Sequence, residues 1–346
     1  MDTPKIIISD EILKLIATID EFKGAWRAFQ NLAPESLNRL RKVATVESIA
    51  SSTRIEGAKL SDSEVEKLLS GVGLTSFRSR DEEEVAGYAD AISLIFKSFN
   101  DINLTENHIR QLHQMLLKYS GKDSRHRGEY KKLPNHVEAF DANGKSMGVI
   151  FQTATPFETP FKMRELVEWF EKAEKEQLQH KLILIAVFIV HFLAVHPFQD
   201  GNGRLSRIIT TLLLLRAGYL YVPYSSLEHI IEENKDGYYL SLRRAQSTLD
   251  TDNSHIPEWI IFFLRSLKRQ ADVLAVKLDT EQNLLSIPSL SQAILQASRE
   301  RGTIAIRDMV NITGASRNTI KAHVQNLVRK KLLFREGRGK GAWYHS

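Results

Sequence analysis

The side chains in this chain best able to do chemistry stand together in one stretch, HPFQDGNGRLSR, His196 to Arg207. Gly201 and Gly203 permit positive φ and let a ligand approach the backbone closely, which favours an anion nest. Gly218 ends the helix that the apolar residues after Arg204 must form. The DGNG run therefore lies at that helix's N-terminus, where free N–H groups and the positive end of the helix dipole are found. Arg204 and Arg207 are three residues apart and share one helical face. Together these features predict a polyphosphate site at a helix start. Asp200, at its edge, would repel a phosphate unless a cation bridges them, and Mg²⁺ held by one carboxylate plus phosphates is the usual solution. His196 lies one loop away, suited to act as general base for an attacking hydroxyl. The spacing is neither that of a P-loop nor of a dinucleotide fingerprint. The competing reading is a tight Gly-Asn-Gly turn between two core helices, with a buried histidine and solvent-facing arginines.

Helices must position these groups, and most of the chain reads as helix. LILIAVFIVHFLAV, Leu182 to Val195, is too short for a membrane span and reads as a buried helix leading into the motif. Upstream, Ser9 or Asp10 caps one helix, Pro34 opens another that Gly57 ends, Ser61 and Glu64 form a capping box, and Thr105 caps a further helix. The texture changes at Gly121. Between there and Pro160, HVEAF and GVIFQT flank Asn143-Gly144, a strong hairpin signal. A lone hairpin on a helical body must dock on something or work as a flap. After the motif, YYLSLRRAQ and WIIFFLRSLKRQ continue the helical body to about residue 280, and LLSIPSLS reads as a linker.

The chain has 346 residues and no cysteine, so disulfides, cysteine metal sites and a thiol nucleophile are excluded. That suits a cytoplasmic location, and the N-terminus lacks the features of a signal peptide. No pair among His108, His113, His126, His136, His180 and His191 has the support a zinc site needs. The formal net charge of +5 is unevenly placed. From Arg299 onward there are eleven Lys or Arg and three acids. A basic tail on a near-neutral body points nucleic acid, if anywhere, to the tail.

The stretch from His196 to Arg207 resembles the Fic signature, His-x-Phe-x-Asp/Glu-Gly-Asn-Gly-Arg-x-x-Arg, at every fixed position. The resemblance runs from about residue 40 to about 270 and implies a mainly α fold: a helical core with a β-hairpin flap at about 133–152. It implies transfer of AMP from ATP, with Mg²⁺, to a Ser, Thr or Tyr hydroxyl of a target protein, with auto-modification, no membrane partner, and homodimerisation left open. By this resemblance His196 is the base and Asp200 holds the metal. Gly201, Asn202, Gly203 and Arg204, with Leu205 and Ser206, cradle the nucleotide phosphates, and Arg207 reaches the γ-phosphate. Phe198 anchors the loop. SSTRIEG resembles the built-in inhibitory motif of such proteins, here Ser52, Glu56 and Gly57; a carboxylate there would pair with Arg207 and deny it to the phosphate. The flap would align a target strand, with Asn135, His136, Val137 and Glu138 on the nucleotide side. Tyr239 would stack on adenine, and Gln246 stands where the family has Asn.

The tail resembles a winged helix over 288–346: IRDMVNIT, a GAS turn capped by Ser316, RNTIKAHVQNLVRKKL, and a two-stranded wing. Arg317, Asn318 and Lys321 would start the reading helix, and Arg338 and Lys340 would tip the wing. Docking another protein is the alternative use of such a module. Residues 1–100 read as a region carrying the inhibitory motif and 101–280 as the catalytic core. The reading is a self-inhibited protein adenylyltransferase. Its alternatives are removal of AMP at the same site, or a DNA-binding regulator whose core senses nucleotide.

Overall fold

The structure, a computed structural model, describes residues 6–29, 34–71, 77–140, 146–249, 251, 254–285, 288–330, 332–337 and 341–346, with backbone only for 136–140, 146–151 and 282–285. It is mainly helical. The contacts divide it into two units, 1–274 and 275–346.

In the first unit, α1 (Asp10–Phe29) and α2 (Pro34–Ile55) precede α3 (Asp62–Ser70), α4 (Arg80–Ser98) and α5 (Glu106–Leu116). The caps are local and follow the sequence. Ser61 and Glu64 close a capping box, and the Thr105 hydroxyl accepts from the His108 N–H. Strands β1 (His136–Phe140) and β2 (Ser146–Gln152) pair antiparallel, with His136 opposite Gln152. The hairpin's Asn143-Gly144 tip lies outside the described residues.

Next come α6 (Thr159–Lys175), α7 (Lys181–Val195) and α8 (Asn202–Arg216). α7 packs against α6 and α8, and apart from His191 every side chain from Leu182 to Val195 is buried. Such all-round apolarity marks a central core helix. α8 begins at Asn202, inside the motif, and Gly218 follows its end at φ +89°. After a 3₁₀ turn (Val222–Tyr224) come α9 (Leu227–Glu233), α10 (Lys235–Gln246) and α11 (Ile256–Leu285). α11 runs to Leu285, leaving less linker than the sequence suggests. No helix among the described residues is long and apolar enough to cross a membrane.

The second unit holds the end of α11, α12 (Ser289–Arg301), β3 (Ile304–Ala305), α13 (Ile306–Thr313), α14 (Arg317–Arg329), β4 (Phe334–Glu336) and β5 (Trp343–His345). Its sheet order is β3-β5-β4. Ile294, Ile304, Met309, Ile320, Val324 and Leu333 form its core. The two-residue β3 carries no sequence period of its own and is set by pairing with β5.

Candidate active site

The motif begins where α7 ends. His196 caps that helix in the left-handed region, φ +49°, its N–H donating to the Phe192 carbonyl at 2.9 Å. Few non-glycine residues adopt this conformation. It turns the chain so that Phe198 drops into the core, fully buried and stacked on His113 at 3.8 Å between ring centroids. Asn202 closes the loop. Its Oδ1 accepts from the Phe198 N–H at 2.9 Å and its Nδ2 donates to the Phe198 carbonyl at 2.7 Å. His113, buried beneath, donates from Nε2 to the Asp200 carbonyl (3.0 Å) and accepts at Nδ1 from the Gly128 N–H (3.0 Å). Burial holds it neutral, its pKa pushed down to about 4. Gly201, at φ +81°, then starts α8.

Over this loop lies a cavity of about 480 Å³, within the range of small-molecule sites. His196, Asp200, Gly201, Asn202, Gly203 and Arg204 form one wall; Tyr239, Arg243 and Gln246 of α10 form another; Glu56 closes a third. His196 Nδ1 lies 3.3 Å from the Leu193 carbonyl. A carbonyl only accepts, so Nδ1 carries the proton and Nε2 is left as the basic nitrogen. Burial foremost, with Lys131 adding to it, pushes His196 down to about 4, so the ring is neutral at pH 7.

The two motif arginines are both committed. Arg207 donates from Nε to the Ser52 hydroxyl, and from Nη2 to the Ser52 carbonyl and to Glu56 Oε1, each at 2.8 Å. Its Nη1 is buried with no hydrogen-bond partner among the described residues. Glu56 stands just past α2, whose end Gly57 turns at φ +106°. Arg54 bolts that end to α9 by a two-point pair with Glu232, at 2.6 and 2.8 Å. The Glu56 carboxylate lies against the position a Cβ on residue 203 would take, so any other residue there would push it aside.

Arg204 instead belongs to a ring of four charges. Its Nη1 pairs with Glu84 Oε2 at 2.8 Å and its Nη2 with Asp200 Oδ2 at 3.3 Å. Arg80, at the start of α4, pairs with both acids at 2.8 Å. Burial opposes ionisation of Asp200, yet Arg204, the Gly201 N–H and Arg80 keep its carboxyl below the usual carboxylate range.

Of the residues the sequence assigns to the nucleotide, Gly201, Asn202, Gly203, Arg204, Tyr239 and Gln246 line the cavity. Tyr238 also borders the cavity, but its side chain is buried. Leu205 and Ser206 do not line it. The Leu205 side chain is fully buried and its N–H donates to Gly201, while Ser206 donates to the Gly203 carbonyl. Helical periodicity turns both inward. Asn135 sits off the cavity, its amide bonded to Lys131 and to the Phe198 carbonyl. The side chains of His136, Val137 and Glu138 lie outside the described residues, as do Arg338 and Lys340. Arg317, Asn318 and Lys321 are exposed on the first two turns of α14. Sequence reading missed Gln199, Lys235 and Arg243 on the cavity wall, and Arg80, Glu84, His113 and Lys131 behind it.

No cluster of three metal-ligating side chains occurs among the described residues. Mg²⁺ does not need one, because phosphates and waters supply most of its shell. The ionised Asp200 carboxylate, partly exposed at the cavity edge, fits that requirement.

Residues 103–214 match the Fic/DOC family. The protein adenylyltransferase Fic of Drosophila grimshawi is 27% identical over 206 residues, 59% of this chain and 40% of that protein. Its counterpart in Drosophila willistoni is 26% identical over 288 residues, 79% of this chain and 54% of that protein. The chain thus spans about half or less of the length of these relatives. The crystal structure of a Fic family protein from Desulfovibrio desulfuricans superposes with a TM-score of 0.64, covering 99% of this chain and 98% of that one at 23% identity, a likeness of fold.

Proposed function

We propose that the chain, whose residues 103–214 match the Fic/DOC family, is a self-inhibited protein adenylyltransferase. One observation carries the reading: a neutral histidine and a helix-start anion nest share a cavity with Glu56, and that carboxylate pairs with the buried Arg207 just behind the wall. The activity named for the matching relatives, protein adenylyltransferase, supports it.

In the proposed reaction a Ser, Thr or Tyr hydroxyl of the target attacks the α-phosphorus of ATP. The new O–P bond forms as the bond to pyrophosphate breaks, and the hydroxyl proton passes to His196 Nε2. The Leu193 carbonyl fixes the tautomer this needs. The N–H groups at the start of α8 and Arg204 receive phosphate oxygens. Mg²⁺ on Asp200 would offset phosphate charge. Tyr239 offers a ring face for the base, and Gln246 an amide beside it. Glu56 occupies Arg207, so the γ-phosphate lacks its partner until that pair opens.

Labelling a native lysate with α-labelled ATP tests this. The Glu56→Gly protein should label targets or itself far more than wild type, and Glu56→Gly with His196→Ala should label nothing. Equal labelling by wild type and Glu56→Gly sinks self-inhibition. AMP release from a modified target, without transfer, would select the reverse reaction.

For the second unit we propose a winged helix that contacts DNA through the exposed Arg317, Asn318 and Lys321. A gel shift that weakens steeply with salt, and is lost on Arg317→Ala with Lys321→Ala, is the expected result. Salt-independent retention by a protein partner would select docking instead.

A further inference from the structure

We infer that Lys131 is a positioning residue: one buried ammonium group ties both feet of the hairpin to the backbone that carries His196. The inference rests on the transferase reading for its kinetic consequence, though not for the tie itself.

Lys131 is only 3% exposed, unusual for a lysine. Its three ammonium protons are all used. Nζ donates to Asn135 Oδ1 at 2.8 Å, to Thr153 Oγ1 at 2.9 Å and to the Val195 carbonyl at 3.0 Å. Asn135 immediately precedes β1 and Thr153 immediately follows β2, so these are the two feet of the flap. The feet also hold each other, the Thr153 hydroxyl donating to the Asn135 carbonyl at 2.7 Å.

The third acceptor is what gives the arrangement meaning. Val195 is the last residue of α7, and the next is His196. The Lys131 N–H donates to the Pro197 carbonyl at 2.9 Å, and Asn135 Nδ2 donates to the Phe198 carbonyl at 2.8 Å. Carbonyls on both sides of the histidine are therefore held from the hairpin's base. Two things need such holding. An isolated two-stranded hairpin is marginal in water. A non-glycine residue at positive φ persists only where its surroundings impose it. Lys131 serves both at once, so the flap and the base move as one body.

A lysine in this role is costly. All three of its acceptors are neutral oxygens, and burial pushes its pKa down to about 8. A merely space-filling side chain would be better supplied by methionine. Three donors aimed at three acceptors on separate segments are what methionine lacks.

The test compares Lys131 with Lys131→Met in the Glu56→Gly background, with Lys131→Arg as the conservative variant. Lys131 does not line the cavity, so affinity for ATP should stay within about twofold. The kcat for transfer to a protein target should fall about tenfold or more, because small misplacements of reacting groups are expensive. Lys131→Arg should recover part of that loss. Amide exchange in β1 and β2 should quicken, and the His196 ring resonances should shift. Unchanged kcat overturns the inference. So does joint loss of ATP affinity, kcat and thermal stability, which marks a residue needed only for folding. If Glu56→Gly itself proves inactive, the transferase reading has failed. The exchange and His196 resonance measurements then decide alone, and no change in either overturns the tie.

Discussion

Arg204 and Arg207 lie one turn apart on α8, each at most 4% exposed, yet they are held in opposite ways. Arg207 makes one ion pair, with Glu56, and donates two further hydrogen bonds to Ser52, all delivered by the end of α2. Arg204 sits in a closed ring with Glu84, Asp200 and Arg80, in which each acid meets two bases. A single ion pair delivered by one segment is a contact that one movement can open. A shared ring spreads the loss of any member over those that remain. The first suits a switch and the second a fixed wall, although both arginines belong to the same motif.

Substitutions can break or sharpen this contrast. The largest effect is expected for Arg207→Ala, which under the proposed reading removes the phosphate partner and the inhibitory one together. Transfer should fall about a hundredfold or more, as when one electrostatic donor leaves an active site, and Glu56→Gly should not restore it. Restoration would make Arg207 only a tether. Next, Glu56→Gly alone should raise the transfer rate about tenfold or more, which corresponds to some 1.4 kcal/mol, a modest demand on a buried pair. Glu84→Gln should be milder. Arg204 keeps Asp200, so the protein should lose about 1–2 kcal/mol in a denaturation series, with transfer reduced rather than raised. Activation by Glu84→Gln comparable to that of Glu56→Gly would erase the distinction. Arg80→Ala should be weaker still. Its side chain is about half exposed, and such pairs contribute about 1 kcal/mol at most.

The smallest effect is that of pH near neutrality. His196 titrates at about 4, so it is already in its basic form, and transfer should drop less than about twofold between roughly pH 7.5 and 6. Stability should respond further down. His113 and His196 are both depressed in the folded state. The unfolded chain therefore takes up protons first, and stability falls as pH drops from about 6.5 toward 4. A melting temperature flat across that range would contradict the burial assigned to them.

What was legible in the sequence was local. The caps at Ser61 and Thr105, the end of α8 at Gly218, the hairpin strands and the contiguous motif each depend on neighbours a few residues away. The pairing of Glu56 with Arg207 was legible only through a short motif read beside a longer one. Arg80 and Asp200 are 120 residues apart, and no spacing rule joins them. Lys131 reads as a surface charge, since burial of an ammonium group cannot be inferred from its type. Leu205 and Ser206 were drawn into the phosphate cradle by their place in the motif, although the helix beginning at Asn202 turns both into the core. Tyr239 and Tyr238 both border the cavity, and only the burial of Tyr238, which no residue type announces, sets them apart.

Gly203 has a kinetic consequence. Its missing side chain is the space in which the Glu56 carboxylate rests. Under the proposed reading that carboxylate is a competitor covalently tethered beside its own site. Its effective concentration is fixed by the end of α2 and cannot be diluted away. More ATP would then meet an inhibitor that never leaves, and inhibition would weaken only when something moves α2 or the Arg54–Glu232 bolt that holds its end. A nucleotide lacking the γ-phosphate would bind with the same affinity whether Glu56 is present or not.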